Sequence, residues 1–281
     1  MKRLTVSDHD RDVAGYTYVY PVVSRRAGGV SLGVNLNPNN ACNWRCVYCQ
    51  VPGLVRGAAP PIELPTLTRE LRALLDEVQS EAWLTRHVDA PFRRIVDVAF
   101  SGNGEPTTAR PFDEIVAAVL EVLDERGLQG LNKVLISNGS MMQREEVQRG
   151  LARLAAAGGE VWFKLDSATA EGRRRVNDTS SSPETARQNL RISAAACRTR
   201  LQTCVVAIDG APPSPRERAA YLELVREELA AGTPIADVLL YGMARPSHQP
   251  GAERLSRAPS SWIEAFADDI RALGLAVTVR L

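Results

Sequence analysis

Lysine is scarce in this 281-residue chain: of 34 cationic side chains only three are lysines, Lys2, Lys133 and Lys164. Aromatic residues make up 5% and histidines number three, His9, His87 and His248. The formal net charge is +1, so no strongly basic surface is built in, and a nucleic-acid partner would have to meet a local patch. No apolar run approaches the roughly 20 residues that a membrane-spanning helix requires. Residues 1–10 carry charges throughout and no apolar stretch, which gives no sign of a secretory signal. The expectation is a cytoplasmic chain without a membrane partner, in a compartment where thiols stay reduced. Five cysteines in such a place do not suggest a disulfide framework.

What is present is the composition of a globular protein, 44% hydrophobic and 24% charged. Short, nearly continuous apolar runs at residues 30–36, 95–100, 133–137, 161–165, 201–208, 236–241 and 276–279 predict strands covered on both faces. Amphipathic stretches between them predict helices over 67–78, 111–126, 141–157, 183–197, 214–231 and 260–273. Gly158, Gly232 and Gly274 stand where left-handed helix caps are expected. Such alternation implies parallel pairing with right-handed crossovers. Two arrangements satisfy it, a partial barrel of six βα units and a doubly wound open sheet. Both put ligands beyond the C-terminal ends of the strands. The Gly/Pro-rich segments 52–65 and 242–259 read as functional loops, and no domain boundary is evident over residues 1–281.

The strongest local signal follows the first predicted strand, where Cys42, Cys46 and Cys49 are spaced C-x3-C-x2-C with no fourth Cys or His nearby. Three thiolates on one tight loop suit an iron–sulfur cubane, which is normally held by four. One iron would then keep an open position, as a catalytic metal centre needs. A zinc knuckle with a distant fourth ligand, or a cluster that only passes electrons, is the competing reading.

The segment Cys42-Asn43-Trp44-Arg45-Cys46-Val47-Tyr48-Cys49, with Tyr48 just before the last cysteine, resembles the signature of radical S-adenosylmethionine (SAM) enzymes. The resemblance selects the partial (β/α)6 TIM-like barrel, an α/β fold with the cluster loop after its first strand. It implies one domain with a core over about residues 30–241, an N-terminal extension and a C-terminal helix and strand. The implied cofactors are a [4Fe-4S] cluster held by Cys42, Cys46 and Cys49, which makes these three catalytic, and SAM bound at the open iron. Reductive cleavage of SAM would give methionine and a 5′-deoxyadenosyl radical that removes hydrogen from a substrate. The implied partners are a reductase or a flavodoxin- or ferredoxin-type electron donor, and a substrate that is a tRNA, a protein or a small molecule. Within the family, CNWRCVYC, FSGNGEPT and VWFKLDS look most like the branch related to tRNA wyosine-base synthesis. The activases of glycyl-radical enzymes are next.

Three further motifs end later strands. Gly102-Asn103-Gly104-Glu105 lets backbone approach a ligand, and Glu105 offers an acceptor for an ammonium group. It resembles the family's glycine-rich motif for the methionine amine of SAM, with Asn103 where Gly is common. Ser137 and Asn138 offer short polar groups for ribose hydroxyls, although Asn-Gly is also a plain turn and Ser140 a plausible helix cap. Lys164 and Asp166 share a strand face by the period of two. The resemblance gives them contacts to the SAM carboxylate or ribose, while a rim salt bridge is the structural alternative. Gln202 and Tyr241 are expected to face the barrel interior, Arg245 to clamp an anionic group and His248 to exchange protons. Cys197 and Cys204 read as small buried hydrophobes, and Arg25-Arg26 and Arg173-Arg174-Arg175 as solvated faces.

Overall fold

The computed structural model describes residues 3–5, 14–24 and 27–281. The chain enters through β1 (Val19–Ser24) and turns back antiparallel into β2 (Gly29–Val34). Two short strands, β3 (Ala41–Cys42) and β4 (Val55–Arg56), then pair with each other around the cysteine loop. After helices α1 (Leu64–Val78) and α2 (Glu81–His87), strand and helix alternate: β5 (Ile95–Phe100), α3 (Phe112–Glu125), β6 (Asn132–Ser137), α4 (Glu145–Ala156) and β7 (Glu160–Lys164). Two helices, α5 (Ala170–Asn177) and α6 (Pro183–Ala196), lead to β8 (Arg198–Ile208), and α7 (Pro215–Ala230) leads to β9 (Ile235–Gly242). The chain closes with β10 (Leu255–Arg257), α8 (Ser260–Ala272) and β11 (Val277–Arg280).

The main sheet runs β1-β2-β5-β6-β7-β8-β9-β11, and β10 pairs antiparallel with β8. From β2 to β11 every neighbouring pair is parallel. The sheet curls into a half-barrel, the one of the two arrangements that the family resemblance selects. Helices cover its outside. Leu67, Leu71, Leu74, Leu75 and Val78 of α1 are all fully buried, which explains why that stripe forms a helix against the sheet. Inside the curl Ala99, Val134, Trp162 and Leu239, joined by Ile136, form a separate small apolar cluster.

The seventh predicted strand, β11, continues the parallel run beyond β9. Other elements differ from the sequence reading. An antiparallel edge, β1, is added on the other side; Pro21 removes an amide donor, which an edge position tolerates. Helix α5 appears where no apolar stripe marks one. Thr169 caps it by accepting from the Gly172 amide, and its buried face includes Arg173. No helix among the described residues is long and apolar enough to cross a membrane.

Candidate active site

The C-terminal ends of the parallel strands open on one cavity of about 320 Å³. Cys42, Cys46 and Cys49 line it together with Tyr48, Asn103, Gly104, Glu105, Ser137, Asn138 and Lys164. The structure therefore gathers ten of the eleven residues singled out for the cofactors. The exception is Asp166, which lies behind the wall.

The cysteine loop is held from inside and outside. Asn40, at φ 54°, turns the chain in the left-handed region, and the β3–β4 ladder sets Cys42 opposite Arg56. The Asn37 side chain donates to the Ala41 carbonyl at 2.9 Å, and the Cys49 amide closes a turn on the Cys46 carbonyl at 2.9 Å. The loop after β9 clasps the other side. There the Ser247 hydroxyl donates to the Val47 carbonyl (2.6 Å), the His248 amide to the Cys49 carbonyl (2.9 Å), and the Gln249 side chain to the Val51 carbonyl (2.9 Å).

Burial pushes the Cys42 thiol up to about 12 and the Cys46 thiol up to about 11. Each thiol is thus neutral near pH 7 and would give up its proton on binding iron, the usual cost of assembling a thiolate site. Among the described residues no three His, Cys, Asp or Glu side chains converge as they would around a single ion. A cubane makes no such demand, because each thiolate binds a different iron. Three cysteines lining one cavity fit that group better than tetrahedral zinc.

The glycine-rich motif is shaped by steric contact. A Cβ on Gly104 would lie 2.0 Å from the Ala41 carbonyl oxygen, and one on Gly102 would lie 2.2 Å from Asn35 Oδ1. Asn35 Oδ1 accepts the Asn103 amide at 3.0 Å, and the Asn103 side chain donates to Asn40 Oδ1 at 2.6 Å. Glu105 is 2% exposed, and its carboxylate is engaged by protein donors. The Thr107 amide (3.1 Å), Thr107 hydroxyl (2.5 Å) and Ser137 hydroxyl (2.7 Å) reach Oε1, and the Asn138 amide reaches Oε2 at 2.6 Å. Burial raises the Glu105 pKa above the ordinary glutamate value against those bonds. Glu105 thereby fastens the end of β5 to the end of β6. Asn138 in turn donates to Asn43 Oδ1 at 2.9 Å, which ties β6 to the cysteine loop.

Glu105→Ala is expected to strand those buried donors and to cost on the order of 3 kcal/mol of stability. Iron content should stay intact while SAM binding weakens. Thermal unfolding and titration calorimetry check this, and a wild-type melting temperature would contradict the assigned bonds.

Lys164 and Asp166 meet through a residue that the strand period could not place. Lys164 Nζ donates to the Tyr48 hydroxyl at 2.7 Å and stands 4.9 Å from the centre of its ring, and the Tyr48 hydroxyl donates to Asp166. The direct Lys164–Asp166 distance is 3.7 Å. Burial works most strongly on Lys164 and against its charge, but Asp166, Tyr241, Cys46 and Cys204 together outweigh it, and the ammonium's pKa lies well above the usual lysine value. Burial, then Asp166, raises the Tyr48 phenol well above its ordinary value, so it remains a donor. Asp166 also accepts the Cys204 amide at 2.9 Å and the Asn177 side chain at 2.6 Å. It organises the cavity wall from behind.

The weaker expectations divide. Gln202, Tyr241, Arg245 and Cys204 line the cavity. Arg245 Nε donates to Gln50 Oε1 at 2.8 Å, and Gln50 returns a bond to the Arg245 carbonyl at 3.2 Å. His248 is exposed and lies outside the lining; its amide, rather than its imidazole, serves the site. Cys197 is a core residue. Arg173 is no solvated charge: it is 2% exposed, packs 5.3 Å from the Trp44 ring centre and donates to the Ser181 carbonyl at 3.0 Å. Arg25-Arg26, His9 and most of residues 1–10 lie outside the described residues. Sequence reading missed Asn43 and Asn177, whose partners lie far away along the chain.

A parallel half-barrel with three cysteines on the loop after its first parallel strand, and polar strand ends around one cavity, defines a class of cofactor-dependent α/β enzyme. The chain belongs to the radical SAM superfamily, whose family model matches residues 36–225. That membership gives SAM and a [4Fe-4S] cluster as its cofactors, which sets aside the zinc alternative. A UPF0026 protein of Helicobacter pylori is 30% identical over 159 residues, a match that covers 56% of this chain and 44% of that protein. The chain thus spans less than half the length of this curated relative. A radical SAM methyltransferase from Sphaerobacter thermophilus has the same fold (TM-score 0.57, 16% identity, 93% of this chain and 68% of that one). So does TYW1 with a lysine–pyruvate adduct bound (TM-score 0.56, 15% identity, 88% and 74%).

Proposed function

We propose that this chain reductively cleaves SAM to methionine and a 5′-deoxyadenosyl radical that takes hydrogen from a substrate, with Cys42, Cys46 and Cys49 holding the [4Fe-4S] cluster that supplies the electron. The observation that carries the reading is the convergence of the three thiols, the Gly104–Glu105 turn, Asn138 and Lys164 on one cavity. Three thiolates leave one coordination position for a ligand from the cavity side. The Gly104 backbone comes close enough there for its peptide groups to meet an ammonium. Glu105 fixes that turn and the end of β6. Lys164, held by Tyr48, presents a cation suited to a carboxylate. Val134, Ile136 and Trp162 form an apolar floor that limits water around reactive intermediates.

On this reading the electron comes from a reductase or a flavodoxin- or ferredoxin-type donor. The substrate is a tRNA, a protein or a small molecule. The TYW1 likeness and the wyosine-branch motifs favour the tRNA class, while the near-neutral charge gives it no electrostatic support. The reading is tested by electron paramagnetic resonance on anaerobically reconstituted, dithionite-reduced protein. The cluster spectrum is expected to change when SAM is added. A loaded cluster whose spectrum ignores SAM would contradict the open position.

A further inference from the structure

The C-terminal end of α5 forms one wall of the cysteine loop. The Arg45 amide donates to the Asn177 carbonyl at 3.2 Å and the Val47 amide to the Val176 carbonyl at 2.8 Å, so the backbone on both sides of Cys46 is bound to this helix end. At the same place the Asn177 side-chain nitrogen donates to Cys46 Sγ at 3.3 Å and to Asp166 Oδ2 at 2.6 Å. Asn177 is fully buried. The two acceptors fix the orientation of its amide: turned over, the carbonyl oxygen would face a carboxylate and a thiolate. The cost is visible, because Asn177 Oδ1 is buried without a hydrogen-bond partner. An unpaired buried carbonyl opposes folding by about 1–3 kcal/mol.

We infer that Asn177 is a positioning residue for the cluster's electronics, directing an amide N–H at the Cys46 sulfur so that the bound cluster is easier to reduce. The inference rests on the assignment of Cys46 as a cluster ligand. Hydrogen bonds to the sulfurs are one of the levers by which a protein sets an iron–sulfur potential. A donor offsets negative charge on the thiolate, and that charge grows when an electron enters. Asp166, itself held by Tyr48 and the Cys204 amide, keeps the donor aimed. The same carboxylate faces Lys164, so the wall that meets the SAM-side cavity and the wall that meets Cys46 share one anchor.

The test compares wild type, Asn177→Leu and Asn177→Asp after anaerobic reconstitution, with iron per chain and the midpoint potential followed by a spectroscopic redox titration. Both variants are expected to titrate at more negative potential than wild type, Asn177→Asp further because it replaces the donor with an acceptor. Wild-type potentials in cluster-loaded variants would overturn the inference. Should the variants shed iron, wild type labelled with 15N at the asparagine side-chain amide decides. Pulsed magnetic resonance of the reduced cluster then shows a nitrogen coupling if the bond exists, and its absence overturns the inference. A wild type that assembles no cluster at all would overturn the underlying assignment, and this inference with it.

Discussion

Cys46→Ala is expected to give a folded, colourless protein that forms no 5′-deoxyadenosine. Cys46 faces the cavity, and the hydrophobic core lies around the helices and the sheet rather than at the cluster loop. Removing one buried sulfur costs about 1 kcal/mol, a small fraction of a domain's stability. The effect on chemistry is total, because two thiolates cannot hold the cubane in place of three. Circular dichroism, iron content and product assay separate the two consequences. Cys42→Ala and Cys49→Ala should behave alike. Cys197→Ala should keep its iron, because Cys197 lies in the core and its thiol meets the Gly159 carbonyl at 3.4 Å. Retained 5′-deoxyadenosine formation in any of the three cluster-loop variants would remove that residue from the ligand set.

Gly104→Ala is expected to have nearly as large an effect by a different route. The added methyl would sit 2.0 Å from the Ala41 carbonyl oxygen and 2.7 Å from Asn37 Cγ, closer than atoms can approach. That carbonyl accepts the Asn37 side chain at 2.9 Å and precedes Cys42 directly. Relief requires the cysteine loop to move away from β5. Overpacking of this kind costs about 1–3 kcal/mol, and the lost Asn37 bond adds about 1 kcal/mol. The melting temperature should fall by several degrees, iron content should drop, and SAM affinity should fall further than stability does. Gly130→Ala is the control, since its Cβ would meet nothing within 4 Å and its φ is ordinary. Equal behaviour of the two variants would show that the loop accommodates the methyl and that the close approach is not required.

The sequence made the cysteine loop legible because its ligands are local: three thiols within one turn need no knowledge of the fold. The alternation of apolar strands and amphipathic helices was equally plain, since burial on one face imposes the period. What escaped was structure whose reason lies elsewhere in the chain. Strand β1 carries a proline that argues against a central strand, and only its edge position makes it acceptable. Helix α5 has arginine where an apolar residue would announce a helix, and Arg173 is buried because Trp44 stands against it. Lys164 and Asp166 were visible as one strand-end pair, but Tyr48, which joins them, arrives from 116 residues away along the chain. Asn177 reaches Cys46 across 131 residues. Glu105 was recognised by type and position, yet its four protein donors give it a structural duty that the motif alone does not convey.

The central claim is that three thiolates on this loop hold a cluster that reduces SAM. The most direct measurement is mass-spectrometric detection of 5′-deoxyadenosine after anaerobic reconstitution, reduction by dithionite and addition of SAM, with Cys46→Ala alongside. The account predicts product in the wild type and none in the variant. Wild type that carries the full cluster and yields no 5′-deoxyadenosine in the presence of reductant and SAM would contradict it.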